Sequence, residues 1–97
     1  LTSAGRYRWH KQYGWKGPEP ALVTDDGVST FIVFRDGAFT AKDLPLLFLL
    51  DDKGNRELAS FDVLGSTFRV ASLFERAVLV QGKPKGARTP QLVVKRR

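Results

Sequence analysis

Turn-forming residues punctuate this chain about every ten residues, which is too often for long helices and suits short strands. Between the turns the segments are rich in Val, Leu and Phe, and several of them alternate apolar with polar residues. An alternation with a period of two is typical of a strand that buries one face. We therefore predict an all-β fold, a small β-sandwich or flattened barrel of about seven or eight short, mainly antiparallel strands.

The first alternating segment covers residues 7–15. Its even positions are polar or Gly, and its odd positions are aromatic apart from Lys11. The aromatic positions are Tyr7, Trp9, Tyr13 and Trp15. This pattern predicts a half-buried strand with an aromatic inner face.

The motif Asp25-Asp26-Gly27 lies between two β-rich segments, and an Asp-Gly pair is a strong hairpin signal because Gly accepts the positive φ of a tight turn. In the second segment, residues 28–35, alternation predicts an inner face formed by Val28, Thr30, Ile32 and Phe34. Phe31 and Val33 make the other face partly apolar, so we predict a central strand.

The second half of the chain continues this pattern. The apolar run 46–50 predicts a buried strand, and residues 56–63 and 67–71 alternate again. The side chains predicted to point inward there are Ala59, Phe61, Val63, Phe68 and Val70. Further strands are predicted at residues 77–80 and 91–95.

Two segments interrupt the strand pattern. Residues 72–76 predict a single helical turn, with Ser72 as its cap and Leu73 and Phe74 in the core. Residues 82–90 are rich in Gly, Pro and basic residues, which favours an exposed, flexible loop.

The length of 97 residues suits one domain over residues 1–97. Because the chain begins at Leu1 and contains no Met, we expect it to be a piece of a longer protein. Residues 1–6 and 96–97 are expected to be flexible ends. The chain has no Cys, which excludes disulfides and thiolate metal sites.

Residues with catalytic chemistry are sparse. His10 is the only histidine, and the carboxylate pairs Asp25-Asp26 and Asp51-Asp52 lie beside turn glycines, where Asp commonly serves turn formation. A nucleophile, a base and an orienting group cannot be assembled from these residues. We therefore predict no catalytic residues, no metal site and no cofactor, and a protein that is not an enzyme.

The net charge of +6 is compatible with an acidic partner or with nucleic acid. Arg8, Lys11 and Lys16 interleave with the aromatic residues of the first strand, and exposed rings beside cations could stack bases. The alternative function is therefore a nucleic-acid-binding β-barrel module. The strict alternation favours buried rings instead, and an open strand edge could accept a strand from a partner protein.

Several motifs occur in a characteristic order. The most specific is Leu73-Phe74, Ala77, Leu79 and Gly82, with the spacing Leu-Phe-x-x-Ala-x-Leu-x-x-Gly. The motifs before it are Pro20, Thr30, Phe34, Leu44-Pro45, Asp51, Gly54, Phe61 and Val63. Together they resemble the C-terminal domain of the TrbG/CagX family, the outer-membrane core proteins of type IV secretion and conjugation systems.

The resemblance implies a periplasmic β-sandwich attached beneath the outer membrane, as a structural subunit of a ring-shaped core complex. The implied partners are a short lipoprotein, a channel scaffold protein and copies of the chain itself, with no direct nucleic acid. The chain departs from the family at Ser60-Phe61-Asp62-Val63, where an Asn-Tyr-Arg-Val-like segment is usual, and in a longer loop 82–90. It also lacks the Cys that links some members to the lipoprotein, so binding here would be non-covalent.

Terminal strands are commonly sheet edges, and a sheet edge can pair with a partner strand. We therefore expect partner contacts on the first and last strands. The candidate partner-binding residues are Tyr7, Trp9, Tyr13, Trp15, Leu92, Val93 and Val94.

Overall fold

The computed structural model describes residues 7–40, 42–81 and 88–97. In these residues the chain forms nine strands and no helix. The strands are β1 (Tyr7–Gln12), β2 (Leu22–Asp25), β3 (Thr30–Val33), β4 (Leu46–Leu50), β5 (Arg56–Ala59), β6 (Asp62–Leu64), β7 (Thr67–Val70), β8 (Arg76–Val80) and β9 (Gln91–Arg96).

The strands form two antiparallel sheets, which confirms the prediction of an all-β sandwich. The five-stranded sheet has the order β1-β9-β8-β4-β5, and the four-stranded sheet has the order β2-β3-β7-β6. Each sheet ends in strands with one described neighbour, so the sheets do not close into a barrel. Along each strand, every second side chain points between the sheets and the others point outward.

The predicted hairpin joins β2 to β3. The N–H of Asp26 donates to the carbonyl of Ser29 at 3.2 Å, and Gly27 adopts a φ of +89°. β3 lies between β2 and β7, which confirms a central strand. Val28 is not on the inner face as predicted, because it lies in the turn and its side chain is 71% exposed.

The core lies between the facing sides of the two sheets. Its fully buried side chains include Ile32, Leu47, Leu79 and Leu92, each at most 1% exposed. Burying one such side chain contributes about 1.5–3 kcal/mol. At one end of the core four phenylalanine rings lie with centroids between 4.6 and 5.4 Å apart. They are Phe34, Phe39, Phe61 and Phe68.

The segment 56–63 does not form one strand as predicted. It divides into β5 and β6, which belong to different sheets, and the chain crosses between them at Ser60 and Phe61. Phe61 and Ala59 pack against the core as predicted. Val63 lies in the edge strand β6 and is 45% exposed, so its predicted burial is wrong.

Residues 72–76 contain no helical turn, contrary to prediction. Long-range hydrogen bonds satisfy the backbone instead: Thr30 Oγ1 donates to the Ser72 carbonyl at 2.9 Å, and Arg96 N–H donates to the Glu75 carbonyl at 2.8 Å. Phe74 is buried as predicted, whereas Leu73 is 39% exposed. The chain therefore crosses this region in an irregular conformation that is held by other parts of the fold.

Strand β4 is internal, but its burial is one-sided. Leu47 is buried at 1% exposure, whereas Leu46 is 40% exposed because alternate residues of β4 lie on the outer face of the sheet. Within the described part of the chain, there is no helix with the length and apolarity needed to cross a membrane.

The structure describes only part of the predicted loop 82–90 and of the predicted flexible ends. Residues 1–6 and 82–87 lie outside the described residues. Of the predicted exposed loop 82–90, Arg88 and Pro90 are exposed, but Thr89 is 1% exposed. Arg96, which we expected in a flexible end, is the last residue of β9.

Candidate functional site

Strand β1 is an edge of the five-stranded sheet, as predicted for the first strand. Among the described residues it pairs only with β9, in a register that places Trp9 opposite Val94. It ends at Gln12, and the next residues, Tyr13 and Gly14, turn the chain away with φ values of +54° and +79°. No described strand occupies the second side of β1, and such an unpaired edge can form main-chain hydrogen bonds with another strand.

The last strand, β9, is not an edge, and this expectation is wrong. It lies between β1 and β8 and pairs with both. Leu92 and Val94 are completely buried, and Val93 is 6% exposed. Partner binding at these residues was predicted from an edge position that β9 does not have, and the binding itself stays a prediction.

Tyr7 links the two sheets through the buried carboxylate of Asp25. Its hydroxyl donates a hydrogen bond to Asp25 Oδ2 at 2.8 Å, and the two residues are 3% and 4% exposed. Burial raises the pKa of Tyr7 above its usual value of 10.0, and the hydrogen bond to Asp25 raises that pKa further. The Tyr7 ring also contacts Phe74 edge-on, with centroids 5.9 Å apart.

Sequence reasoning missed the second role of Asp25. We predicted a turn residue, and its Oδ1 does accept the N–H of Gly27 at 2.9 Å. Its Oδ2 meanwhile accepts the Tyr7 hydroxyl from the opposite sheet. No local pattern reports that second contact, because Tyr7 and Asp25 are brought together only by the packing of the two sheets.

The other aromatic residues of the first segment have different environments. Trp15 is 4% exposed and its Nε1–H donates to the Pro18 carbonyl at 3.3 Å. Trp9 is half-buried against the core, and only Tyr13, at 47%, is well exposed. A base-stacking surface needs several exposed rings, so the arrangement proposed for the nucleic-acid alternative is not present in β1.

The carboxylates of Asp26 and Asp51 are used in turns. Asp26 Oδ1 accepts the N–H groups of Ser29 and Val28 at 2.7 and 2.9 Å, and these bonds lower the pKa of Asp26. Asp51 accepts the backbone and side-chain N–H groups of Asn55 at 2.8 and 3.0 Å, which lower the pKa of Asp51. In the described residues, no group of three or more His, Asp or Glu side chains is arranged to hold a metal ion.

A comparison with protein families adds the identity of the domain. The family model CagX, described as conjugal transfer protein, matches residues 3–94. The chain belongs to the CagX family. This confirms the resemblance noted from the sequence motifs. No match was found among the curated proteins.

Membership of the CagX family indicates a role related to type IV secretion, as a component of a conjugal transfer or secretion complex of the cell envelope. The matched residues include the edge strand β1, the Tyr7–Asp25 link and the internal strand β9 up to Val94. Strand β1 and the Tyr7–Asp25 link of this CagX domain therefore belong to the part of the chain that the family model describes.

Proposed function

We propose that this domain is a structural subunit of the outer-membrane core complex of a type IV secretion system. In this proposal it lies in the periplasm, associated with the outer membrane, and acts by binding proteins and not by catalysis. The observation that carries the proposal is the match of the CagX model to residues 3–94, which is nearly the whole chain. The chain would correspond to the C-terminal domain of a longer protein.

The short lipoprotein of the complex is proposed to bind along β1. Support comes from the edge position of that strand, which has a described pairing partner on one side only. A partner strand would add main-chain hydrogen bonds and cover apolar surface at the rim of the sandwich. Because the chain has no Cys, the complex would be non-covalent.

The channel scaffold protein and neighbouring copies of the chain are the other proposed partners. A ring needs at least two further contact surfaces on each subunit, because neighbouring copies meet through different faces. The edges formed by β2, β5 and β6 are available for such contacts among the described strands. No direct contact with nucleic acid is part of the proposal.

An NMR titration tests the lipoprotein contact. The 97-residue chain, labelled with ¹⁵N, would be mixed with a synthetic peptide of the mature candidate lipoprotein from the same transfer system. We expect amide shifts at micromolar peptide that concentrate on Tyr7–Gln12, and no shifts with a scrambled peptide. Absence of shifts would overturn the lipoprotein contact, and shifts confined to β5 or β6 would overturn its assignment to β1.

A second experiment tests membership of the complex. The full-length protein would carry an affinity tag and be co-expressed with the candidate lipoprotein and scaffold protein. Both proteins should be recovered with it from detergent-solubilised envelopes, and deletion of this domain should release the lipoprotein. Recovery of the tagged protein alone, from the cytosolic fraction, would refute the proposed location and role.

A further inference from the structure

The outer face of the five-stranded sheet carries a line of positive charge. Arg8, Lys95 and Arg76 lie on the neighbouring strands β1, β9 and β8 and are direct cross-strand partners. The same line continues through Leu50 of β4 to Arg56 of β5. We call Arg8, Lys95, Arg76 and Arg56 the cation row.

No carboxylate belongs to this face in the described strands. By the strand register, its other positions in the described strands are His, Gln or apolar residues. None of the ion pairs found in the described residues includes a member of the cation row. Four cations therefore share one face without an ion-pair partner in the described residues.

Charged residues are arranged differently on the outer face of the four-stranded sheet. On its outer face Arg69 of β7 is the cross-strand partner of Asp62 of β6, and Arg69 Nη1 lies 3.0 Å from Asp62 Oδ2. That face is balanced within the sheet. In the described strands, the cations without an ion pair therefore lie together on the outer face of the five-stranded sheet.

Like charges on directly opposed strand positions destabilise a sheet. Lys95 lies between two arginines, and in the described residues it has neither an ion pair nor a side-chain hydrogen bond. Folding therefore gains no ion pair from Lys95, whereas a negatively charged ligand would meet several cations at once.

Two members of the cation row are held in place by contacts with neighbouring residues. Arg76 Nη2 donates to the Asp51 carbonyl at 3.1 Å, and the Asp51 carboxylate is close enough for an attractive interaction with Arg76. The Arg56 guanidinium lies over the Phe48 ring, 5.8 Å from its centroid, and donates to Gln91 Oε1 at 2.8 Å. These contacts orient both guanidinium groups across the face and reduce the entropy lost when they bind a ligand.

An apolar stripe runs beside the cation row. It consists of Phe48 and Leu58, which are cross-strand partners two residues along from the row, with Leu46 next to them. Leu58 and Leu46 are 62% and 40% exposed, whereas Val78 and Val93, which continue the same line on β8 and β9, are buried. A shallow depression of about 150 Å³, bordered by Arg76, Lys95 and Val93, lies on the same face.

We propose that this face binds an acidic, amphipathic polypeptide segment of another protein. The row and the stripe are separated by about 6.8 Å, which is also the spacing of alternate side chains in an extended chain. A segment lying along the strands would therefore place one carboxylate within the cation row, close to cations of neighbouring strands, and apolar side chains on Phe48 and Leu46. That the partner is another subunit of the secretion complex rests on the proposed function, but the chemistry of the face does not.

A polypeptide fits this face better than nucleic acid does. The one aromatic ring on the face, Phe48, lies under the Arg56 guanidinium, so it is not open for base stacking. Two exposed leucines beside the charges match apolar side chains of a protein segment. Nucleic acid and anionic lipid are retained as outcomes of the test.

Fluorescence anisotropy of a labelled peptide with the repeat Glu-Ser-Leu-Ser, which places Glu and Leu in turn on one face of an extended chain, tests the proposal, with the same peptide carrying Gln for Glu as its control. We expect the Glu peptide to bind more tightly, with an affinity that falls as salt is added. The double variant Arg76→Gln/Lys95→Gln should weaken binding about tenfold, because two ion pairs are lost. The control Lys16→Gln/Lys42→Gln changes net charge equally at exposed positions outside the face and should have little effect.

The variant Lys95→Glu separates a binding role from a structural one. A carboxylate between Arg8 and Arg76 should raise the melting temperature of the free chain and abolish binding of the Glu peptide, whereas Lys42→Glu should do neither. Equal binding of the Glu and Gln peptides, or unchanged binding by Lys95→Glu, would overturn the proposal. Binding of single-stranded DNA or phosphatidylglycerol vesicles without binding of the Glu peptide would overturn its assignment to a polypeptide. None of these variants lies on β1 and none of the readouts uses the lipoprotein, so failure here is distinguishable from failure of the proposed function.

Discussion

Replacing Tyr7 by Phe removes one hydroxyl from the interior of the sandwich and leaves the ring in place. That hydroxyl donates to Asp25 Oδ2 at 2.8 Å across the space between the sheets. The ring contact with Phe74 should persist, because Phe has the same aromatic shape. The substitution therefore isolates the contribution of a single hydrogen bond between the two sheets.

The expected loss follows from the burial of both partners. Tyr7 is 3% exposed and Asp25 is 4% exposed, so water cannot replace the lost donor easily. A hydrogen bond to a charged group contributes about 1.5–3 kcal/mol. Asp25 keeps the Gly27 N–H at 2.9 Å, which favours the middle of that range, about 2 kcal/mol. For a domain of this size that corresponds to a fall in Tm of about 8–16 °C.

The same hydrogen bond predicts that the free energy of unfolding changes at alkaline pH. Because the pKa of Tyr7 is raised in the folded state, the unfolded chain ionises first as the pH rises above 10.0. The stabilisation is complete below that pH and is lost as the pH rises toward the folded pKa. The Phe variant lacks this loss, so the difference in stability between the two proteins should shrink through the alkaline range.

Urea unfolding followed by tryptophan fluorescence measures both effects, since Trp15 is buried in the folded state. Tyr13→Phe is the matched control, because Tyr13 is 47% exposed, and it should change the free energy of unfolding by less than about 0.5 kcal/mol. If Tyr7→Phe were as stable as the control across the whole pH range, the inter-sheet hydrogen bond would not contribute as argued.

Three further changes test the packing and the turns. A Cβ at Gly17 would lie 2.5 and 2.8 Å from ring atoms of Trp15, which is too close for van der Waals contact. Gly17→Ala should therefore lower the free energy of unfolding by about 1–3 kcal/mol in urea titrations. An unchanged midpoint would show that the ring can move aside. Leu79→Ala should cost about 2–5 kcal/mol by thermal unfolding, because Leu79 is completely buried, whereas Leu58→Ala at a 62% exposed site should cost little; equal losses would contradict the assigned core. The pKa of Asp51 is lowered in the folded state, so its stabilisation is present above pH 3.8 and is lost as the pH falls through the folded pKa. Asp51→Asn should therefore flatten the acid limb of the stability curve, and an identical limb in both proteins would contradict this account.

Local sequence patterns correctly predicted features of the structure that depend on residues close together in the chain. The Asp25-Asp26-Gly27 turn was predictable because Gly27 supplies the positive φ that a tight hairpin requires. The alternation of Phe68 and Val70 likewise predicted the buried face of β7, and both are at most 2% exposed. Family membership was also within reach of the sequence, through the ordered motifs that end at Gly82.

Alternation along a strand does not say which strand lies beside it. The last strand was expected at an edge, but β9 lies between β1 and β8, and this decides that Leu92 and Val94 are core residues. The break between β5 and β6 was also missed, because Ala59 and Phe61 keep the same alternation while the chain passes from one sheet to the other.

By itself, the sequence determined the all-β class, the positions of most turns and the family, since each depends on short-range periodicity, turn chemistry or ordered motifs. Only the tertiary structure decided which residues became neighbours across strands. It placed the Tyr7 hydroxyl on Asp25 and lined up Arg8, Lys95 and Arg76 on one face. These contacts join distant parts of the chain, and the long-range pairing that creates them is set by the packing of whole sheets and not by any local pattern.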